Sequence, residues 1–378
     1  MKTFAKAIIL IAVVFVCFIL LIIVKDNLDS GGNLHKMIFF EDVEQWERCE
    51  FVNCDLDETG NSVVFTEGDD FSLLVSPVIT PGFRFSDLML SWNVEKLPEN
   101  SALNFEVSVS PDNVNWYDFQ YQTYGSVDSS VYNDLVELPV KIENIGRVAT
   151  DILNLRIPVK YARITVKAAI PDSSVEISLR RISICFASDN ADWGEYRKVK
   201  NGEANPNISM VSLAVPYYTQ RNLPEDLAGN CCSPTSVTMV LNYHEKNADL
   251  VTFSRSVYDP YHDMYGNWPY NIQAAYIAGM SKTWVEIHSG FDEIYEDVAE
   301  GKPVVISISF GYDELPNSPI HESTAGHIIA VVGFDGPDTV ICNDPAGRDP
   351  ESGIIRYPRR ELERVWINHG GIAYHLWP

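Results

Sequence analysis

Cys231-Cys232-Ser233-Pro234-Thr235-Ser236-Val237-Thr238-Met239-Val240-Leu241-Asn242-Tyr243 joins two cysteines to a proline and an apolar run. Proline suits a first helical position, where its missing N–H costs nothing, so a helix is predicted over residues 234–243. Ser233 or Thr235 can cap its first turn. Cys232 then stands at a helix N-terminus, whose partial positive charge lowers a thiol pKa. The residue is a candidate nucleophile; the competing reading is half of a disulfide or a small core residue. Only one of Cys231 and Cys232 can face a base, and Cys232 directly precedes Ser-Pro-Thr-Ser.

Working outward, the base is sought first. His327 follows Gly326 and opens the apolar run Ile328-Ile329-Ala330-Val331-Val332, a strand that would hold the ring at a cleft edge. His321 lies in a polar loop, and His244 reads as a cap at the end of the cysteine helix. Asp344, in Asn343-Asp344-Pro345, can accept the second ring N–H and fix the tautomer, and Asn343 beside it can do the same. As an isolated feature, Asn-Asp-Pro is a turn opener. Upstream, Val215-Pro216-Tyr217-Tyr218-Thr219-Gln220 ends on an amide able to stabilise an oxyanion. Asn267 and Trp268, in Gly266-Asn267-Trp268-Pro269, are candidates to line the cleft, or form a turn with a packed indole.

The rest of the chain supplies context. Its 378 residues suit two domains plus an appendage. Residues 7–24 are eighteen consecutive residues without a charge, preceded by Lys2 and Lys6. A helix of that length spans roughly 27 Å, enough for a bilayer core. The expectation is an uncleaved signal anchor over 1–24 with the body exported, or a secreted protein if the segment is cleaved. Residues 25–36 read as a polar stalk. From 37 to 190 short β-rich runs alternate with turn signals (62–65, 71–75, 88–94, 103–109, 162–168 and 175–184), as in a sandwich or jelly roll. Residues 191–210 read as a linker. From 211 to 378 the pattern becomes α+β, with helices at 234–243, 270–280 and 291–300, and strands at 303–310, 327–334 and 339–342.

Those C-terminal motifs resemble the bacteriocin-processing cysteine peptidases, family thirty-nine of the cysteine class, and specifically their stand-alone "like" branch. The resemblance covers about 211–378. It rests on Val215 to Gln220, Cys232 to Ser236, Gly266-Asn267-Trp268, Gly301-Lys302-Pro303-Val304-Val305, Gly326-His327, Asn343-Asp344-Pro345-Ala346, and a closing run from Tyr357 to Trp366 with Arg359 and Glu363. It implies a papain-like fold with Cys232 as nucleophile, His327 as base, Asp344 as its orienter and Gln220 at the oxyanion hole. Transporter-fused members cut leader peptides after a double glycine. These 378 residues carry no ATP-binding cassette and no multi-span region, and Gln220 stands further from Cys232 than in those members. The leader-peptide substrate therefore does not carry over. The β-rich region is similar to jelly-roll modules found beside such peptidases.

The expected fold class is thus multidomain: a transmembrane helix, an all-β sandwich, then an α+β papain-like domain. The expected function is membrane-anchored extracytoplasmic thiol hydrolysis of a peptide or protein substrate. A non-catalytic peptide- or glycan-binding surface protein and an acyltransferase are the alternatives. A net charge of −24 argues against nucleic acid as partner, because counterion release requires lysine and arginine. No cofactor or metal is expected: His262-Asp263 lacks ligand spacing, and the acidic runs at 55–58 and 67–70 lack a calcium-loop pattern. Seven cysteines, an odd count, imply at least one free thiol, and Cys49 and Cys54 are close enough to pair.

Overall fold

A computed structural model describes residues 34–67, 71–136, 144–172, 174–188 and 208–378. Among the described residues twelve strands precede residue 189: β1 (Leu34–Phe40), β2 (Glu50–Val52), β3 (Cys54–Leu56), β4 (Val63–Phe65), β5 (Ser72–Val75), β6 (Phe85–Lys96), β7 (Ala102–Ser110), β8 (Tyr117–Gly125), β9 (Gly146–Ala149), β10 (Ile152–Val159), β11 (Tyr161–Ala169) and β12 (Ile177–Ser188). They form two antiparallel sheets. One runs β3-β4-β12-β6-β10-β9 with β1 also on β12, and the other runs β2-β5-β11-β7-β8. Trp92 and Phe105 stack between the sheets at 4.2 Å, in a core that includes Phe65, Phe85 and Phe186. Every run read from sequence in this region is a strand. Strands β1, β2, β3, β8, β9 and β10 add to them, and β1 takes up residues 34–36 of the expected stalk.

A third sheet follows, built from β13 (Val211–Ser212), β14 (Lys282–Ile287), β15 (Val304–Phe310), β16 (Thr324–Phe334), β17 (Thr339–Asn343), β18 (Ile354–Pro358) and β19 (Ile372–Trp377). Its order is β14-β19-β15-β16-β17-β18, with β13 on β16. Strand β16 is buried on both faces, which is why its sequence is a continuous apolar run. Ile328, Ala330 and Val332 join the cluster of Val237, Val240 and Leu241 from the helix Cys232–Tyr243. Ile329, Val331 and Phe334 join Leu362, Val365 and Trp366 from the helix Arg359–Ile367. The helix predicted over 291–300 is instead a short 3-10 turn, Phe291–Glu293, followed by the helix Tyr295–Ala299.

One expectation is corrected. Among the described residues no helix is long and apolar enough to cross a membrane. The longest, Cys232–Tyr243, has 12 residues and spans about 18 Å, against a hydrocarbon core of about 30 Å. The described residues therefore form three antiparallel sheets with packed helices, and the transmembrane helix and single-pass localisation expected from sequence find no support among them. The segment 1–24 meant to supply that helix lies outside the described residues, as do stalk residues 25–33 and linker residues 191–207. Cys49 and Cys54 are both free, as are Cys185, Cys231, Cys232 and Cys342.

Candidate active site

The helix carrying the thiol begins at Cys232 itself, with Cys231 as its N-cap. Pro234 therefore occupies the third helical position, still within the first turn, where no intrahelical N–H bond is lost. Neither hydroxyl expected to cap does so. Ser233 Oγ meets the Tyr374 hydroxyl at 3.1 Å, and Thr235 Oγ1 is buried without a partner. Cys232 is half-buried. Burial, the largest influence, pushes its thiol up, but the hydrogen bond and charge of His327 outweigh it, helped by the backbone N–H groups of Ile328 and Ser233. The net result lies below the ordinary thiol value. Cys231 differs at every point. It is fully buried among Leu223 and Leu227, and burial pushes its thiol up to about 11. Two adjacent cysteines thus divide into one activated thiol and one core residue.

His327 is buried at the N-terminal part of β16, and its Nε2 lies 2.7 Å from Asp344 Oδ1. With Nε2 engaged by the carboxylate, Nδ1 is the ring nitrogen left for the thiol. Burial pushes the imidazole down, yet the charge and hydrogen bond of Asp344, joined by the bond to Cys232, raise it to about 10. The ring therefore holds its proton at neutral pH, and its charge favours the thiolate of Cys232. Asp344 follows the end of β17 and is fully buried. Burial alone would raise its carboxyl. His327 outweighs this, with the Ala346 N–H at 2.9 Å from Oδ1 and the Tyr357 hydroxyl at 2.8 Å from Oδ2, so the carboxyl is held below its usual range. Asn343, the alternative orienter, points its amide away, toward the Val215 carbonyl at 3.2 Å.

Gln220 begins a 3-10 turn, Gln220–Asn222, and its backbone N–H donates to the Pro345 carbonyl at 3.0 Å. That bond sets it beside the Asp344 loop, and its buried Oε1 has no partner. Asn267 and Trp268 are used differently. Asn267 is fully buried, caps the helix Trp268–Ile277 and donates to Asp259 Oδ2 at 2.6 Å. Trp268 is partly buried and packs on the same apolar cluster as Cys232. Sequence reasoning missed three residues that hold Asp344 in place. Tyr357 is one; Tyr217 donates to the Asp344 carbonyl at 2.9 Å, and Thr219 Oγ1 donates to the Pro345 carbonyl at 3.3 Å. Tyr217 and Thr219 lie in the run before Gln220 and Tyr357 opens the closing run, but nothing in those runs marks them as supports of a carboxylate.

A cleft of about 240 Å³ lies elsewhere, between the edge strands β8 and β9 and residues Asp259, Tyr261 and His262. None of Cys232, His327 and Asp344 lines it, so it is separate from the thiol chemistry.

Comparison with known proteins places residues 212–374 in a match to the family described as "Peptidase_C39 like family". Among solved structures, one described as a C39-like peptidase from Bacillus anthracis is 19% identical. That match covers 45% of this chain and 98% of the other at a TM-score of 0.35. A double glycine motif protease from an AMS/PCAT transporter, solved with its leader peptide, is also 19% identical, covering 45% and 99% at a TM-score of 0.28. The CBM32 module of AlyQ, solved with an unsaturated mannuronic acid, is 9% identical, covering 39% and 97% at a TM-score of 0.20. No curated protein matches the chain.

Proposed function

Taking residues 212–374 as a segment of the Peptidase_C39 like family, we propose that this protein is a cysteine peptidase that cuts an amide bond of a peptide or protein through a thioester. One observation carries the reading: Asp344 Oδ1 holds the His327 ring at 2.7 Å, and the charge of that ring draws the Cys232 thiol below its ordinary value. In this reading the Cys232 thiolate attacks the carbonyl carbon and the carbonyl oxygen becomes an oxyanion. The Gln220 amide and the positive N-terminal end of the helix Cys232–Tyr243 stabilise that charge. The His327 imidazolium gives its proton to the departing amine as the C–N bond breaks, leaving a thioester and a neutral ring. His327 then takes a proton from water, whose oxygen attacks the thioester and releases the acid and the thiolate. Asp344 keeps the ring in one tautomer and balances the imidazolium charge.

Iodoacetamide labelling of the native protein, read by mass spectrometry, tests the reading. Rapid modification confined to Cys232 is expected, absent in Cys232→Ala and slower by about tenfold or more in His327→Ala. Slow labelling indifferent to His327→Ala sinks the enzyme reading and leaves a binding protein on the same scaffold. Adding an amine acceptor separates hydrolysis from acyl transfer. The product remains a free acid if water is the acceptor.

A further inference from the structure

Three histidines and three carboxylates meet where β1 crosses onto the third sheet, far from the thiol in sequence. His288 Nδ1 lies 3.0 Å from Glu293 Oε2, and His375 Nδ1 lies 3.1 Å from Asp297 Oδ2. At His288 the carboxylate accepts from Nδ1 and leaves Nε2 with a lone pair, whereas His375 Nδ1 makes no hydrogen bond. Yet the two Nε2 atoms face each other at 2.9 Å. Either a proton or a metal cation must lie between two nitrogens at that separation. A shared proton would serve two nitrogens only. Here more donors converge. Glu286 Oε2 stands 3.8 Å from His375 Nε2, and ligand atoms of His35, Glu286 and His288 lie within 4.8 Å of one another. His35 Nδ1 is buried and has no partner.

The surroundings hold these donors rigidly. Trp284 stacks on the His375 ring at 4.6 Å and donates its indole N–H to Glu286 Oε2 at 2.8 Å. The His288 N–H donates to the Gly371 carbonyl at 2.8 Å. Gly371 has φ +68, and a Cβ there would meet the His288 carbonyl oxygen at 2.1 Å, so only glycine permits the approach. His288 and His375 are buried. Donors around a tetrahedral Zn²⁺, with bonds of about 2.0–2.1 Å, stand roughly 3.3 Å apart. The separations of 2.9 and 3.8 Å bracket that spacing.

The geometry points to a structural site for one divalent transition-metal ion, Zn²⁺ by its ligand set, held by His35, Glu286, His288 and His375, with Glu293 orienting the His288 ring. Such a closed site would tie β1 to the third sheet and stabilise rather than catalyse. The test uses the full chain carrying Cys232→Ser, so that the active thiol cannot compete for metal. After stripping with a chelator and dialysis against Zn²⁺, about one equivalent is expected by elemental analysis, with a higher Tm. Co²⁺ in its place is expected to give the strong visible absorption of a four-coordinate site. Adding His288→Gln with His375→Gln is expected to abolish retention and the Tm rise, while the stripped variant melts as its parent does. Metal that stays bound in that variant, or no stoichiometric metal in the parent, overturns the proposal. Weak six-coordinate Co²⁺ bands in the parent overturn it without recourse to any variant.

Discussion

Tyr357 reaches the catalytic candidates only through Asp344, and that makes it a sensitive reporter of how the site is tuned. Its hydroxyl donates to Asp344 Oδ2 at 2.8 Å while His327 occupies Oδ1. A charge-assisted hydrogen bond is worth about 1.5–3 kcal/mol, and removing it leaves the buried carboxylate less stabilised. Tyr357→Phe is therefore expected to weaken the support of the imidazolium and shift the alkylation profile of Cys232 to higher pH, with Cys231→Ala leaving that profile unchanged. A profile that does not move would show the tyrosine to be packing alone. The unmodified protein has its own signature. The thiolate–imidazolium pair exists above the depressed thiol pKa and is lost as His327 deprotonates near 10, so alkylation should stay fast well below the free-thiol value of about 8.5. Stability follows the same groups. The lowered pKa of Asp344 contributes stability present above its unfolded value of about 3.9 and lost as pH falls through the folded value. The raised pKa of His327 contributes stability present below about 6.5 and lost as pH rises through about 10. Asp344→Asn should accordingly flatten both limbs of a plot of Tm against pH. The residues of this site were legible because each stands beside a signal of its own: a helix start, a strand start, a turn. Their supports were not, because a tyrosine in a strand looks alike whether its hydroxyl meets water or a catalytic carboxylate.

The element that fixes Asp344 is the tight passage between the run ending at Gln220 and the start of β18. The Asp344 N–H donates to the Gly353 carbonyl at 2.8 Å, and the Tyr217 hydroxyl meets the Asp344 carbonyl at 2.9 Å. A Cβ on Gly353 would stand 2.0 Å from the Tyr217 hydroxyl oxygen and 2.1 Å from its Cζ. The phenol ring is rigid, so it would have to leave and give up its bond to Asp344. Gly353→Ala is expected to cost about 1–3 kcal/mol as overpacking and to slow Cys232 alkylation with it. Normal melting and labelling together would show the passage to be slack. This close approach could not be read from sequence, where Glu351-Ser352-Gly353 is an ordinary turn. The same distinction separates strands that were found from strands that were missed. Strand β16 announces itself because both faces are apolar. Strands β8 and β14 bury Gln122, Thr123 and Thr283, which blur the alternation of polar and apolar residues that marks a strand. Strand β1 carries His35 and Lys36 close to its start, so residues 34–36 read as stalk. Gln122 donates to the Thr150 carbonyl, Thr123 donates to Asn104 and Thr283 accepts from Asn93, partners distant in sequence that nothing in a local window shows.

At the scale of the molecule, the outer face of the first sheet is covered rather than solvated. Strand β6 is buried from Phe85 to Val94, its Trp92 stacking on Phe105 on one side while the helix Trp268–Ile277 and β14 cover the other. The contact is polar as well as apolar. The Gln273 amide closes both backbone groups of Val94, accepting from its N–H at 2.7 Å and donating to its carbonyl at 2.8 Å. Asn93 donates to Thr283 Oγ1 at 2.7 Å, and Ser91 Oγ accepts the Val285 N–H at 3.2 Å. Glu41 bridges Arg181 of β12 and Lys282 of β14. Backbone groups in mid-sheet that take side-chain partners from another sheet's helix bind the two halves into one cooperative unit. Gln273→Leu fills similar volume but strands a buried N–H and a buried carbonyl, each costing about 1–3 kcal/mol. A fall of several degrees in Tm is therefore expected, measured by scanning calorimetry. The parent should melt in a single transition, and the variant should either melt earlier as one or split as the sandwich and the third sheet come apart. Separate transitions in the parent, or an unchanged Tm in Gln273→Leu, would mean that the halves are merely adjacent.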